Sequence, residues 1–279
     1  MSFRSYAGKA VYITGGSSGI GLAAARLFSS LGAHVVIFAR DRERGEAARR
    51  EIERARLSES QSVEYVSLDV SRRDDVAAVM EKTVAVSGPP DVLITSAGIQ
   101  YPDYFEKIPS EKFDEMLGTN FEGTWNMIAS LVPHMKRKGG HIVTVSSIAG
   151  IIGVFGYTAY SATKFAVIGF SESLRSELKR YGITVSVLCP PDTDTPGLAE
   201  ENRTKPAETR AIAGNAGIMK PDDVARALVA GMERGTFLII PGFEGKFVCF
   251  AKRLLPRLVE FMMDRDIRRV ARRSGRLQA

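Results

Sequence analysis

Thr14-Gly15-Gly16-Ser17-Ser18-Gly19-Ile20-Gly21 follows an apolar run at 10–13 and opens a helical pattern at 20–31. Glycines at 15, 19 and 21 admit backbone angles or close approaches that a Cβ would block, and a helix start presents free N–H groups to a pyrophosphate. A glycine triplet alone is weak evidence. Its position carries more, because the strand–turn–helix unit that it heads is repeated along the chain. Further apolar runs stand at 34–38, 63–66, 91–94, 141–145, 183–188 and 236–240. They are mostly continuous rather than alternating, as in strands covered on both faces. Helical patterns at 42–57, 74–86, 121–136, 157–180 and 222–233 separate them. This alternation predicts an α/β fold, a doubly wound parallel sheet of seven strands with right-handed crossovers.

The 279 residues suffice for one large domain, assigned to 1–243, with an extension at 244–279. Cys189 and Cys249 are the only cysteines and form no CxxC pair, so neither a disulfide framework nor a metal site is expected, and a reducing compartment fits. The first nine residues lack the apolar stretch of a signal peptide, and no run reaches the roughly 18 apolar residues of a spanning helix. The net charge of +6 is unevenly placed. Residues 246–279 hold ten Lys or Arg against three acids, and the rest of the chain is close to neutral.

Tyr160 and Lys164 lie four apart, on one face of the predicted helix at 157–180. An ammonium beside a phenol favours the phenolate and is expected to lower a pKa that is ordinarily about 10, making the phenol a usable proton donor and acceptor. At the end of the second strand, Ala39 stands where an acid would hydrogen-bond the ribose 2′-OH of NAD, and Arg40 follows it. Arg40 offers a grip on a 2′-phosphate, so the cofactor expected is NADPH. Asp41, the discordant neighbour, is expected to cap the helix that starts at Arg42.

The glycine motif and the segment Tyr160-Ser161-Ala162-Thr163-Lys164, with Ser147 thirteen positions before Tyr160, resemble the short-chain dehydrogenase/reductase family. The resemblance implies a Rossmann fold and a catalytic set of Asn120, Ser147, Tyr160 and Lys164. It implies cofactor contacts from Gly15, Ser17, Ser18, Gly19, Ile20 and Gly21, from Asp69 and Val70 after the third strand, and from Ala97 and Gly98 after the fourth. Pro190 and Thr195 follow the sixth strand, and Tyr160 and Lys164 touch the cofactor's ribose side. Two departures from the family pattern are visible: Ser96 replaces a customary Asn, and Pro191 stands where Gly is usual.

The run from Cys189 to Pro206 is similar to a branch of the family that reduces the C3 ketone of long-chain 2-amino-3-ketones. The substrate loop is assigned to 192–219, with Asp192 or Asp194 pairing with the substrate's ammonium. Broader reduction of retinoid, steroid or fatty ketones is the enzymatic alternative, and an NADPH-sensing membrane protein the non-enzymatic one. The resemblance also implies a homodimer or homotetramer built on the helices that carry Asn120 and Tyr160, with Trp125, Phe165 and Phe170 as apolar contacts.

The extension places Phe247, Phe250, Ala251, Leu254, Leu258, Phe261 and Met262 at helical spacing among Lys246, Lys252, Arg253, Arg257, Arg268, Arg269, Arg272 and Arg273. Apolar bulk beside basic charge fits a helix in a membrane interface, interrupted at Pro256, and packing on the body or on a second subunit is the alternative. The expected location is cytoplasmic, peripherally attached to membrane. Nucleic acid is not expected, because no binding motif accompanies the charge.

Overall fold

The computed structural model describes residues 4–213 and 217–273; the remainder of the substrate loop and the last six residues of the extension lie outside the described residues. Along the first half run β1 (Ala10–Thr14), α1 (Gly19–Ser30), β2 (His34–Ala39), α2 (Arg42–Glu53), β3 (Val63–Ser67), α3 (Arg73–Ser87) and β4 (Val92–Thr95). The second half continues with α4 (Ser110–Met116), α5 (Gly123–Met135), β5 (Gly140–Val145), α6 (Thr158–Leu178) and β6 (Ile183–Leu188). Then follow α7 (Pro196–Thr204), α8 (Ala207–Ala213), α9 (Pro221–Glu233), β7 (Leu238–Ile239), α10 (Phe243–Leu254) and α11 (Pro256–Arg273).

All seven strands pair in parallel, in the order β3-β2-β1-β4-β5-β6-β7. The predicted doubly wound sheet is therefore present. Strand order reverses between β1 and β4, and in such sheets ligands bind beyond the carboxyl ends of the strands at that point. Side chains alternate across the strands, so β1 sends Val11 and Ile13 to one face and Tyr12 to the other. The first face packs on α1, α2 and α9 through Phe28, Ile52 and Leu228; the second packs on α3, α5 and α6 through Met80, Met127, Leu131 and Leu178. Two-sided burial explains why the strand sequences run apolar without alternation.

Helices α4, α7 and α8 lie outside the helical patterns read from the sequence, and two of the expected elements change in form. The helix expected at 121–136 is entered through a π-helical segment, Leu117–Glu122, joining α4 to α5, so Asn120 sits on a distorted turn rather than ahead of a helix. The strand expected at 236–240 shortens to β7, because only Val187 and Leu188 of β6 pair with it at the sheet's edge. Pro256 divides the extension into α10 and α11, as its missing N–H requires. Among the described residues, no helix is long and apolar enough to cross a membrane.

Candidate active site

The glycine turn is a cradle formed by backbone. Gly15 has φ +67°, and a Cβ there would lie 2.9 Å from the Ala97 backbone; at Gly21 it would lie 2.3 Å from the Gly15 carbonyl oxygen. The space that these hydrogens leave lets α1 begin against the ends of β1 and β4. Ser18 caps α1 in extended conformation without spending its side chain on the cap, and the first turn carries no acid, so the helix start is open to an anion. Gly15, Ser18, Gly19, Ile20, Gly21, Ala97 and Gly98 line one end of a cavity of about 770 Å³, with Pro190 and Thr195 opposite. Ser17 belongs to the same turn, outside the cavity lining. Thr14, unremarked in the sequence, accepts the Ala97 N–H at its Oγ1 (3.0 Å) and ties the two strand ends together. Thr195 also caps α7, accepting the Leu198 N–H at 3.2 Å, with Pro196 in the first turn.

At the end of β2, Asp41 accepts the Arg44 N–H (3.0 Å) and caps α2, and Arg40 stands exposed beside it. Arg40 Nη1 lies 4.0 Å from Asp69 Oδ2, and Arg40, Asp69 and Arg72 line a smaller hollow. Arg72 is a second cation that the sequence reading missed. Asp69 does not cap α3 itself; its Oδ1 accepts the Ser71 N–H and hydroxyl (3.0 and 2.7 Å) in the turn before it. Val70 has its side chain buried in the core against Gly123 and its carbonyl accepts from Asn126 Nδ2 at 3.0 Å, so a cofactor contact there would fall to its backbone N–H.

Ser147, Tyr160 and Lys164 meet in the middle of the large cavity. Ser147 leaves β5 in extended conformation and accepts the Ala149 N–H (3.1 Å), which turns its hydroxyl toward the Tyr160 phenol. Lys164 is buried; its Nζ donates to the Val145 carbonyl (2.9 Å) and lies 5.6 Å from the Tyr160 ring centre. The expected lowering of the Tyr160 pKa is not what the structure gives. Burial raises it, Glu201 and Asp192 add to the rise, and the Ser147 hydrogen bond opposes them. Lys164 takes the opposite shift: burial draws its ammonium down to about 8. The ion that was to tune the phenol is itself destabilised by the same dry wall.

Asn120 is fully buried and does not line the cavity. Its Oδ1 accepts the Ile99 N–H (2.8 Å), and its Nδ2 donates to the Ile99 carbonyl (2.9 Å) and to Thr163 Oγ1 (3.0 Å). It thus joins the loop after β4 to α6, one residue before Lys164.

The acids separate by burial. Asp194 is exposed, lies outside the cavity lining and gives its backbone N–H to Met219 (2.9 Å), so it is not placed to meet a substrate. Asp192 lines the cavity, and with it Glu201, to which the sequence reading gave no role. Glu201 is buried and accepts the Tyr157 hydroxyl hydrogen bond. Lys205, also buried, lies 2.5 Å from Glu201 Oε1 and 3.3 Å from Asp192 Oδ2. The Tyr157 and Tyr160 ring centres are 5.6 Å apart, which sets this group beside the phenol. Two carboxylates face one ammonium, and of the two Asp192 is the more open, its side chain 34% exposed. The four-residue spacing of Glu201 and Lys205 was a legible sign of a pair on one helix face.

The family model for short chain dehydrogenase matches residues 9–206. A zebrafish (Danio rerio) protein named 3-dehydrosphinganine reductase is 40% identical over 240 residues, covering 85% of this chain and 72% of the relative. A mouse (Mus musculus) protein named 3-ketodihydrosphingosine reductase is also 40% identical over the same shares of the two chains. Among solved structures, an alcohol dehydrogenase from the archaeon Thermococcus sibiricus, complexed with 5-hydroxy-NADP, superposes with a TM-score of 0.72 at 26% identity, over 83% of this chain and 95% of that one. The matched residues run from the strand before the glycine turn through the Ser147, Tyr160 and Lys164 positions to the buried ionic group, and on that span this chain belongs to the short chain dehydrogenase family.

Proposed function

We propose that this protein is an NADPH-dependent reductase of the C3 ketone of 3-ketodihydrosphingosine, yielding dihydrosphingosine. The observation that carries the reading is the placement of the anionic Asp192–Glu201–Lys205 group beside the Tyr160 phenol, in the cavity that begins at the glycine cradle. A 2-amino-3-ketone carries its ammonium one carbon from the reacting carbonyl, and this wall offers that cation a partner within the same cavity. The names of the zebrafish and mouse relatives support the same substrate.

The open start of α1 and the cradle fit a pyrophosphate, and Arg40 with Arg72 fits a 2′-phosphate. Bound NADPH supplies the hydride for the ketone carbon. Tyr160, held protonated by burial, donates its proton to the carbonyl oxygen. Ser147 hydrogen-bonds that oxygen as negative charge develops on it. Lys164 stabilises the phenolate left behind and holds the ribose, and Asn120 positions α6 beneath both. Asp192, with Glu201 behind it, orients the substrate through its ammonium.

Residues 244–279 form an extension with its own role, and the protein works as a dimer or tetramer at a cytoplasmic membrane surface. Support comes from the exposed Trp125 and Phe165 on α5 and α6, and from the exposed apolar side chains beside basic residues on α10 and α11.

The test is NADPH consumption with 3-ketodihydrosphingosine against retinoid, steroid and unaminated fatty ketones, for the wild type and Asp192→Asn. Charge-assisted contacts of about 1.5–3 kcal/mol predict a preference for the aminated ketone of about 10- to 100-fold, mostly lost in the variant. Equal rates on unaminated ketones would leave a reductase of broader specificity.

A further inference from the structure

The large cavity does not end at the reacting residues. It continues past Tyr160 to a far wall formed by the C-terminal extension, where Val248 and Ala251 of α10 meet Val259 and Met263 of α11. These four side chains are partly buried, whereas Phe250, Leu254 and Phe261, on the same two helices, are exposed and outside the lining. Phe247 and Met262 are exposed and yet belong to the lining, so the inward apolar face of the extension meets its outward one at these two positions.

Its inward face is anchored at both ends. Gly245 is buried, and a Cβ there would lie 3.2 Å from Ile148, the residue after Ser147, so the first turn of α10 is packed against the catalytic strand end. The Gly217 N–H donates to Glu244 Oε2 (3.1 Å), joining the substrate loop to that turn. Farther along, Lys252 Nζ pairs with Glu260 Oε1 (2.9 Å) across the break at Pro256, and α11 packs on α8. Glu244 and Asp266 add acids to the lining, leaving the stretch between them apolar.

We propose that α10 and α11 build the hydrocarbon half of the substrate site, a channel that takes the saturated chain of the ketone while its reacting end lies at Tyr160. The inference rests on the reductase reading for its occupant and goes beyond it by naming the residues that bind the chain. Continuity with the catalytic cavity selects the occupant: an amphiphile anchored by its cation at Asp192 and Glu201 has its alkyl chain directed along an apolar lining that the body supplies through Ile152 and Val154 and the extension through Val248, Ala251, Val259 and Met263. Burying each methylene there contributes about 0.8 kcal/mol, close to a fourfold gain in affinity per carbon.

The test uses the full chain at saturating NADP+, titrated by calorimetry with primary alkylamines and the matching alkanols of six, eight and ten carbons, all as monomers and without vesicles. In the wild type each added carbon should tighten Kd about two- to fourfold. Ala251→Trp, which fills the channel, should weaken the ten-carbon ligands at least tenfold and the six-carbon ligands much less. Met263→Trp serves as the second variant, and unchanged thermal melts identify the one to be read. Chain-length slopes that are the same in wild type and variant, or flat in the wild type, would overturn the proposal. Amines and alkanols that bind equally, with the slope intact, would instead count against the ammonium contact and leave the channel standing.

Discussion

Tyr160 shows how far a residue's chemistry depends on what surrounds it. The pair with Lys164 was legible from spacing alone, but the sign of the phenol's shift was not, since it follows from burial and from Glu201, forty-one positions away in sequence. A raised phenol pKa keeps the proton in place at neutral pH, the form a ketone reductase requires. Tyr160→Phe removes that proton and little volume, so kcat should fall at least about 100-fold with NADPH affinity, followed by cofactor fluorescence, almost unchanged. A variant retaining wild-type turnover would remove Tyr160 as the acid. Lys164 gives the pH dependence. Its ammonium, drawn down to about 8, is charged below that pH and neutral above it, so support for the phenolate is lost as pH rises. Reduction should be fastest below about pH 8 and decline above it in a stopped-flow pH profile, and a rate rising through that range would reverse the assignment. Glu201 is the site residue that spacing only half revealed: its distance from Lys205 marked a pair, but Glu200 pairs likewise with Arg203, and only the fold turns one of the two acids inward.

Single elements set the cofactor end and the frame under the reacting residues. Continuous apolar runs and the glycine turn made β1 through β6 readable, because burial on both faces leaves its record in composition. The π-helical entry to α5 was not readable: its cause is tertiary, the pull of Asn120 toward Ile99 and Thr163. Asn120→Ala leaves the part-buried Ile99 N–H and carbonyl without those partners, at a cost of about 1–3 kcal/mol. For a chain of this size that corresponds to a fall in Tm of roughly 2–10 °C, with reduced kcat as α6 loses its tie. A melting curve identical to the wild type would show that the loop after β4 is held by other contacts. At the end of β2 the outcome depends on charge. Arg40→Ala should weaken NADPH by about tenfold or more and NADH by less than about twofold, because only the former has the 2′-phosphate. Equal losses for both would remove Arg40 from cofactor selection.

At the scale of the whole molecule two exposed apolar surfaces are left, and their chemistry differs. Trp125 lies near Phe170 (ring centres 5.4 Å apart) and, with Phe165, leaves the helices of the reacting residues partly bare. A second copy of the chain fits such a surface, and sedimentation at micromolar concentration should give a dimer or tetramer; monomer alone would contradict it. The outward face of α10 and α11 instead sets Phe250, Leu254, Leu258 and Phe261 among Lys246, Arg253, Arg257 and Arg268. Apolar side chains that dip about 5–10 Å into the headgroup region, with cations near anionic lipid, match that pattern. Sequence alone left the extension either a membrane element or a helix packed on the body or on a second subunit. The structure changes the test, since Val248, Ala251, Val259 and Met263 also line the cavity and their removal would open it. The outward side chains must be altered by themselves. Phe250→Ser combined with Leu254→Ser and Phe261→Ser should reduce binding to vesicles of phosphatidylglycerol and phosphatidylcholine at least about tenfold in flotation, while turnover of a short soluble ketone changes less than about twofold. Added salt should release the wild type in part, because surface attraction is screened over about 8 Å at physiological ionic strength. Vesicle binding that survives the triple substitution would assign this face to protein contact, and an aggregation state that changes in the same variant would identify the partner as another copy of the chain.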